Sequence, residues 1–201
     1  MTTKPPEDIT SDISLYAIWR ESLRVKKPIS NRLARAGGLL ALIAYAALPW
    51  SHTDSLIQTT RQLASIGLPA ILGLLGFLLA GYTVFVSIAQ KDMLVAMSSV
   101  TEKHSGLSWL KVSMYTFVGT LAELLVIACV MLAAVILGQP RGLLSVVVNG
   151  ACSKIGREIV VCIGFVVCGY AFIHTLVALK ITIRNVHHGI AAAIRWNAEN
   201  P

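Results

Sequence analysis

Apolar residues run through this chain in blocks separated by short polar stretches that carry the charges. Four blocks stand out, at 36–50, 63–89, 112–137 and 159–179. About 20 apolar residues in a helix cross a hydrocarbon core of about 30 Å, so these blocks predict membrane-spanning helices. The first is the shortest, its 15 residues rising only about 22 Å. Arg35 snorkelling at one end and Trp50 anchoring the other would let it cross in a tilted bundle or a thinned bilayer. If it does not cross, three spans and a re-entrant piece remain. The second block is almost uncharged, with Pro69 near its start, where a proline disturbs few backbone hydrogen bonds. Lys111 precedes the third, and Gly138, Gln139, Pro140 and Arg141 follow it; Lys180 and Arg184 close the fourth.

The flanking segments read differently. Residues 1–11, with Pro5, Pro6, Glu7 and Asp8, have the composition of a disordered start. Asp12 is placed to cap a helix over 12–27 that Pro28 stops. On it Leu15, Ile18, Trp19 and Leu23 share one face and Arg20, Arg24 and Lys27 another, which suits either an anionic cytoplasmic membrane surface or a partner protein. Between the third and fourth blocks, the apolar stretch 143–148, framed by Gly142 and Gly150, is too short to cross. It dips into the outer interface, lines a periplasmic vestibule or, more commonly for such a stretch, extends the third helix. After Lys180, Ile183, Val186, Ile190 and Ile194 repeat at helical spacing and predict that the fourth helix continues into the tail. The expected fold class is all-α and polytopic: a cytoplasmic segment over 1–35, a four-helix transmembrane domain over 36–183 and a cytoplasmic tail over 184–201.

Composition supports lipid as the solvent. Of the 201 residues 55% are hydrophobic and 13% charged, against about 25% charged in soluble domains. No large catalytic domain fits beside four spans. The net charge of +7 raises nucleic acid as a partner, but seven of the 17 basic residues precede residue 36 and the others lie mostly between apolar blocks. That distribution is the one topology imposes, because translocating basic loops is disfavoured. With four spans, thirteen basic residues fall on the side of both termini and four (Arg61, Arg141, Lys154 and Arg157) on the other. Both ends are therefore expected in the cytoplasm of a bacterial inner membrane. The first apolar block begins too far along for a cleavable signal peptide. Cys129, Cys162 and Cys168 fall in apolar blocks and Cys152 in a loop, and all four read as thiols. No CxxC pair or Cys/His cluster at zinc spacing appears, and a b-type haem would need a second intramembrane histidine, so neither metal nor cofactor is expected.

Polar groups inside the blocks are the candidates for function. Glu123 stands at the middle of the third block, about 16 Å from its cytoplasmic end. A carboxylate at that depth is costly unless protonated, paired or facing water. Tyr170, at nearly the same depth, is a candidate partner. His174 lies about 7 Å nearer the cytoplasm than Glu123, so a proton relay between them needs tilt or an intervening water. His187 and His188 are adjacent and do not form a chelating i, i+4 pair. The hydroxyls of Tyr82, Thr83, Ser87, Thr116 and Thr120 either line a narrow polar path or bond their own backbones. On the second block Gly73, Gly76, Ala80 and Gly81 predict close helix packing, within the chain or between copies. No phosphate-binding loop, nucleophile elbow or HExxH motif is present.

The segment LLGFLLAGYTVF at 74–85, followed by a Lys-bearing loop and another long span, resembles the hairpin of small four-span bacterial inner-membrane proteins, including membrane subunits and depolarising effectors of antiphage defence. The resemblance covers roughly 66–137 and rests on architecture. It implies a non-enzymatic subunit that oligomerises and either perturbs permeability or couples a membrane event to a cytoplasmic partner. A proton-coupled transporter or channel built on Glu123 and a scaffold of a larger membrane complex are the other two readings.

Overall fold

The computed structural model of the chain describes residues 20, 29–48, 53–89, 91–101, 106–140, 142 and 153–199. Its named elements are all helices: α1 (Ile29–Ala46), α2 (Thr53–Ile88), α3 (Lys91–Ser99), α4 (Trp109–Leu137) and α5 (Lys154–Glu199). No strand occurs among the described residues, only an isolated bridge between Thr101 and Ser108. Three helices, over Thr53–Ser87, Trp109–Leu137 and Lys154–Trp196, are long and apolar enough to cross a membrane. The predicted helix at 12–27, the stretch 143–148, Trp50 and Cys152 lie outside the described residues.

The start of the second helix differs most from expectation. The second helix starts at Thr53 rather than near 63, so Pro69 lies in its interior and not near its start. The polar first turns, from Thr53 to Gln62, are helical too, with Asp54 favourably placed near the N-terminal dipole and Thr59 and Thr60 bonding the carbonyls of Ser55 and Leu56. The third helix stops at Leu137, where its apolar block ends. A Cβ at Gly138 would lie 2.5 Å from the carbonyl oxygen of Ala134, so a side chain there is excluded sterically. The fourth helix does continue into the tail, and its 46 residues rise about 69 Å, more than twice a hydrocarbon core.

The described residues form two compact units. In the first, within Pro28–Gly76 and Leu124–Lys180, α1 runs antiparallel to α5. A Cβ at Gly38 would lie 2.8 Å from Ile173 Cδ1, and one at Gly169 would lie 2.7 Å from Leu42 Cδ2. Further along, the rings of Tyr45 and Phe165 lie 5.6 Å apart and the Cys162 thiol points at the Ala46 carbonyl. As numbers rise on α1 they fall on α5. The two glycines are reciprocal: each accepts a branched side chain from the other helix. Gly67 of α2 faces the Met131 side chain of α4 and the Phe172 ring of α5, and Met131, Ile71 and Leu124 are fully buried.

Polar contacts then align the ends. Arg61 Nε on α2 donates to the Gly138 carbonyl just past α4, satisfying one of the acceptors that a helix C-terminus leaves open. Arg157 at the start of α5 lies 3.7 Å from Asp54 at the start of α2, an exposed pair that contributes little energy. The C-termini of α1 and α4 and the N-termini of α2 and α5 thus share one end of this unit, the geometry of an up-and-down bundle.

In the second unit, within Phe77–Glu123 and Ile181–Pro201, Tyr82 stacks on Phe117 at 4.5 Å and Gly189 lies against the Phe85 ring. Leu78, Met93, Val112 and Tyr115 are buried there, and Lys111 sits 5.4 Å above the Tyr115 ring. Gly106, at φ +70°, allows the turn before α4, whose entry is tied down by the Trp109 amide donating to the Val100 carbonyl.

Candidate functional site

Two of the sequence candidates come together. Tyr170 and His174, one helical turn apart on α5, meet edge to face at 6.2 Å between ring centres. They line a hollow of about 200 Å³ with Val167 and Ala171 of the same helix and Ile127 and Val130 of α4. No charged side chain lines it. Lys154 and Lys180, flanking the apolar part of α5, lie about 24 Å and 15 Å from Tyr170 along the helix, so the phenol is set deep in the apolar stretch. Among the described residues the Tyr170 hydroxyl makes no hydrogen bond. Val167 at the rim is 44% exposed, which leaves the hollow open sideways.

Glu123 belongs to the other unit, half-buried at the midpoint of α4. It is the sole carboxylate in that helix. Four of the five hydroxyls named for a polar path bond their own helices instead: Thr83 to Ala80, Ser87 to Thr83, Thr116 to Val112 and Thr120 to Thr116. These bonds satisfy the hydroxyl donors within the backbone. His187 and His188 are exposed, with ring centres 5.8 Å apart.

The small residues of α2 do not all behave as a packing face within the chain. Gly73 and Gly76 are exposed, and a Cβ at either would meet nothing within 4 Å. Ala80 is also exposed and Gly81 half-buried with open space around it. Close approaches occur instead at Gly38, Gly67, Gly169 and Gly189. Sequence reading missed these four, because a glycine on an apolar helix gives no sign of which neighbour it receives. Arg20 is exposed, while Trp19, Arg24 and Lys27 lie outside the described residues. Cys129, Cys162 and Cys168 are free thiols, and no cluster of metal-binding side chains occurs among the described residues.

Comparison with family models, with curated proteins and with solved structures finds no match.

Proposed function

We propose that the chain is a non-enzymatic subunit of a bacterial inner membrane that crosses four times, keeps both ends in the cytoplasm and self-associates to alter membrane permeability. The observation that carries self-association is the open face at Gly73 and Gly76. Helices in lipid gain nothing from hydrophobic burial, so backbone approach over small residues is a main source of association. Only 22–28% of the residues in the three most apolar windows are buried within the chain, which leaves most of each helix for lipid or a second copy. Support for the fourth crossing comes from α1: its contacts follow α5 from Ile173 to Cys162, a rise of about 16 Å along a helix that itself has spanning length. An even number of crossings returns the chain to the side on which it began. The resemblance to depolarising membrane effectors of antiphage defence supplies the permeability part of the proposal.

Self-association is tested by energy transfer between donor- and acceptor-tagged copies in the same cells. Gly76→Leu is expected to abolish the transfer while leaving membrane insertion intact, because its side chain stands in open space within one chain. Undiminished transfer would remove this face from the assembly.

Glu123 favours a second reading, a proton-coupled transporter or channel. A neutralised carboxyl is cheap at this depth and an ionised one costly, so protonation would be tied to access of water. On this reading Glu123→Gln abolishes pH-dependent flux in proteoliposomes without loss of fold. Flux equal to wild type would exclude the residue from the mechanism.

A further inference from the structure

We propose that the crevice between α1 and α5 holds one anionic phospholipid, its phosphate against Arg32 and Lys180 and an acyl chain along the apolar groove below them. The register of the two helices is the first reason. Ile173 fills the space over Gly38; Arg32 stands six residues before that glycine and Lys180 seven beyond Ile173. Because the helices run antiparallel, both cations lie about 9–10 Å past the crossing point, at the same level. Both are exposed, and half-buried Arg35 places a third cation one turn deeper. The two carboxylates of this unit, Asp54 and Glu158, are at its opposite end, so the unit itself gives the mouth of the crevice no negative charge.

The same crevice turns apolar with depth. On α1, Arg32, Leu39, Ile43 and Ala46 recur at spacings of seven, four and three and share one stripe; on α5, Lys180, Ile173, Val166 and Cys162 recur at seven, seven and four. Ile43, Ala46, Cys162 and Val166 line a hollow of about 370 Å³. The cations therefore head the two stripes whose far ends enclose the hollow. From Arg32 to Ile43 the rise is about 16 Å, close to half a hydrocarbon core of about 30 Å, the depth that the chains of one leaflet reach.

This combination selects the occupant. An apolar groove by itself accepts any alkyl chain or a second copy, but one of leaflet depth that opens between two cations is complementary to a molecule with a negative head and an apolar tail. Basic pockets between membrane helices take anionic headgroups for this reason, and the attraction grows with each Lys or Arg at the surface. The Arg32 guanidinium can also bond two phosphate oxygens at once. A zwitterionic headgroup carries its own cation and gains less.

The site rests on α1 crossing beside α5 and not on self-association, so Gly76→Leu is expected to leave it intact. The crossing is checked by itself with a membrane-impermeant thiol reagent: Ser30→Cys and Ser55→Cys should react, above the wild-type level, from opposite sides of the membrane. Reaction of both from one side would overturn the crossing and the site together. The site is tested with the full chain reconstituted in phosphatidylcholine bilayers, from the motionally restricted spin-resonance signal of trace phosphatidylglycerol or phosphatidylcholine labelled at mid-chain. Phosphatidylglycerol is expected to associate more tightly, about fivefold for each cation on its phosphate. Arg32→Gln with Lys180→Gln should bring it to the level of phosphatidylcholine. Lys154→Gln with Arg195→Gln, which removes as much charge elsewhere, should leave the preference in place, and inorganic phosphate at matched ionic strength should not displace the lipid. Equal association of the two lipids with wild type, the result if a second copy fills the crevice, would overturn the proposal. So would a preference that survives Arg32→Gln with Lys180→Gln, one lost as fully in Lys154→Gln with Arg195→Gln, or displacement by phosphate, which would make the site one for a free anion.

Discussion

Replacing Gly169 by valine is expected to detach α1 from α5, and the loss should be recovered in large part by Leu42→Ala. A lone Cβ at Gly169 already comes within 2.7 Å and 3.0 Å of the two Leu42 methyl groups. Those methyls end a flexible side chain, so Gly169→Ala calls only for a rotamer shift. Valine adds two branched carbons on a stiff Cβ, and Leu42 has little room to move because Gly38, one turn before it, is filled from the other side by Ile173. Overpacking of this kind costs about 1–3 kcal/mol. The measurement is protection of α1 from proteolysis in membranes, compared among wild type, Gly169→Val and the double variant. Independent, additive effects of Gly169→Val and Leu42→Ala would contradict the packing, since side chains in contact are coupled.

The second large effect is expected from Met131→Ala. Met131 is fully inaccessible and faces Gly67 of α2, which is also flanked by Phe172 of α5, so its removal leaves a void where three helices meet. In water such a truncation combines a lost transfer term with a cavity term. In lipid the first nearly vanishes, because the surrounding tails are as apolar as the side chain, and the lost dispersion contacts remain. The cost is therefore expected near 2 kcal/mol, toward the low end of the range for buried methionine. Titration with a denaturing detergent should show it as an earlier unfolding midpoint. The same truncation at Leu125, which is 52% exposed, should change the midpoint little. Equal shifts at the two positions would contradict the burial of Met131.

Much of this architecture follows from the sequence because a bilayer imposes so few solutions. Backbone groups inside lipid must be satisfied within the segment, so an apolar block of spanning length predicts a helix almost irrespective of its detailed composition. Blocks 112–137 and 159–179 fall within helices of the structure, and block 63–89 does so in all but its last residue. The errors came at polar boundaries, where hydropathy is silent: Thr53 to Gln62 reads as a loop by polarity yet is helical, and Pro69 moves from a helix start to its interior as a result.

The candidate site was legible in part. Tyr170 and His174 were conspicuous as polar groups in an apolar block, and their spacing of four residues already put them on one helix face. Their hollow was not foreseeable, because it depends on Ile127 and Val130 of another helix, and apolar residues look alike in sequence whether they fill a gap or border one. The glycines show the same limit. Gly73 and Gly76 form a cluster with Ala80 and Gly81 but meet nothing among the described residues, whereas Gly38 and Gly169 each receive a branched side chain. Which small residue serves which helix is decided by topology, and topology enters only with the antiparallel pairing of α1 and α5.

Membrane potential in cells that produce the protein tests most directly whether its assembly alters permeability. Wild type and Gly76→Leu are compared at matched membrane levels. Depolarisation by wild type, lost in Gly76→Leu together with the energy transfer between copies, is the predicted result. An unchanged potential in wild-type cells, or depolarisation just as complete by a Gly76→Leu protein that no longer self-associates, would contradict it.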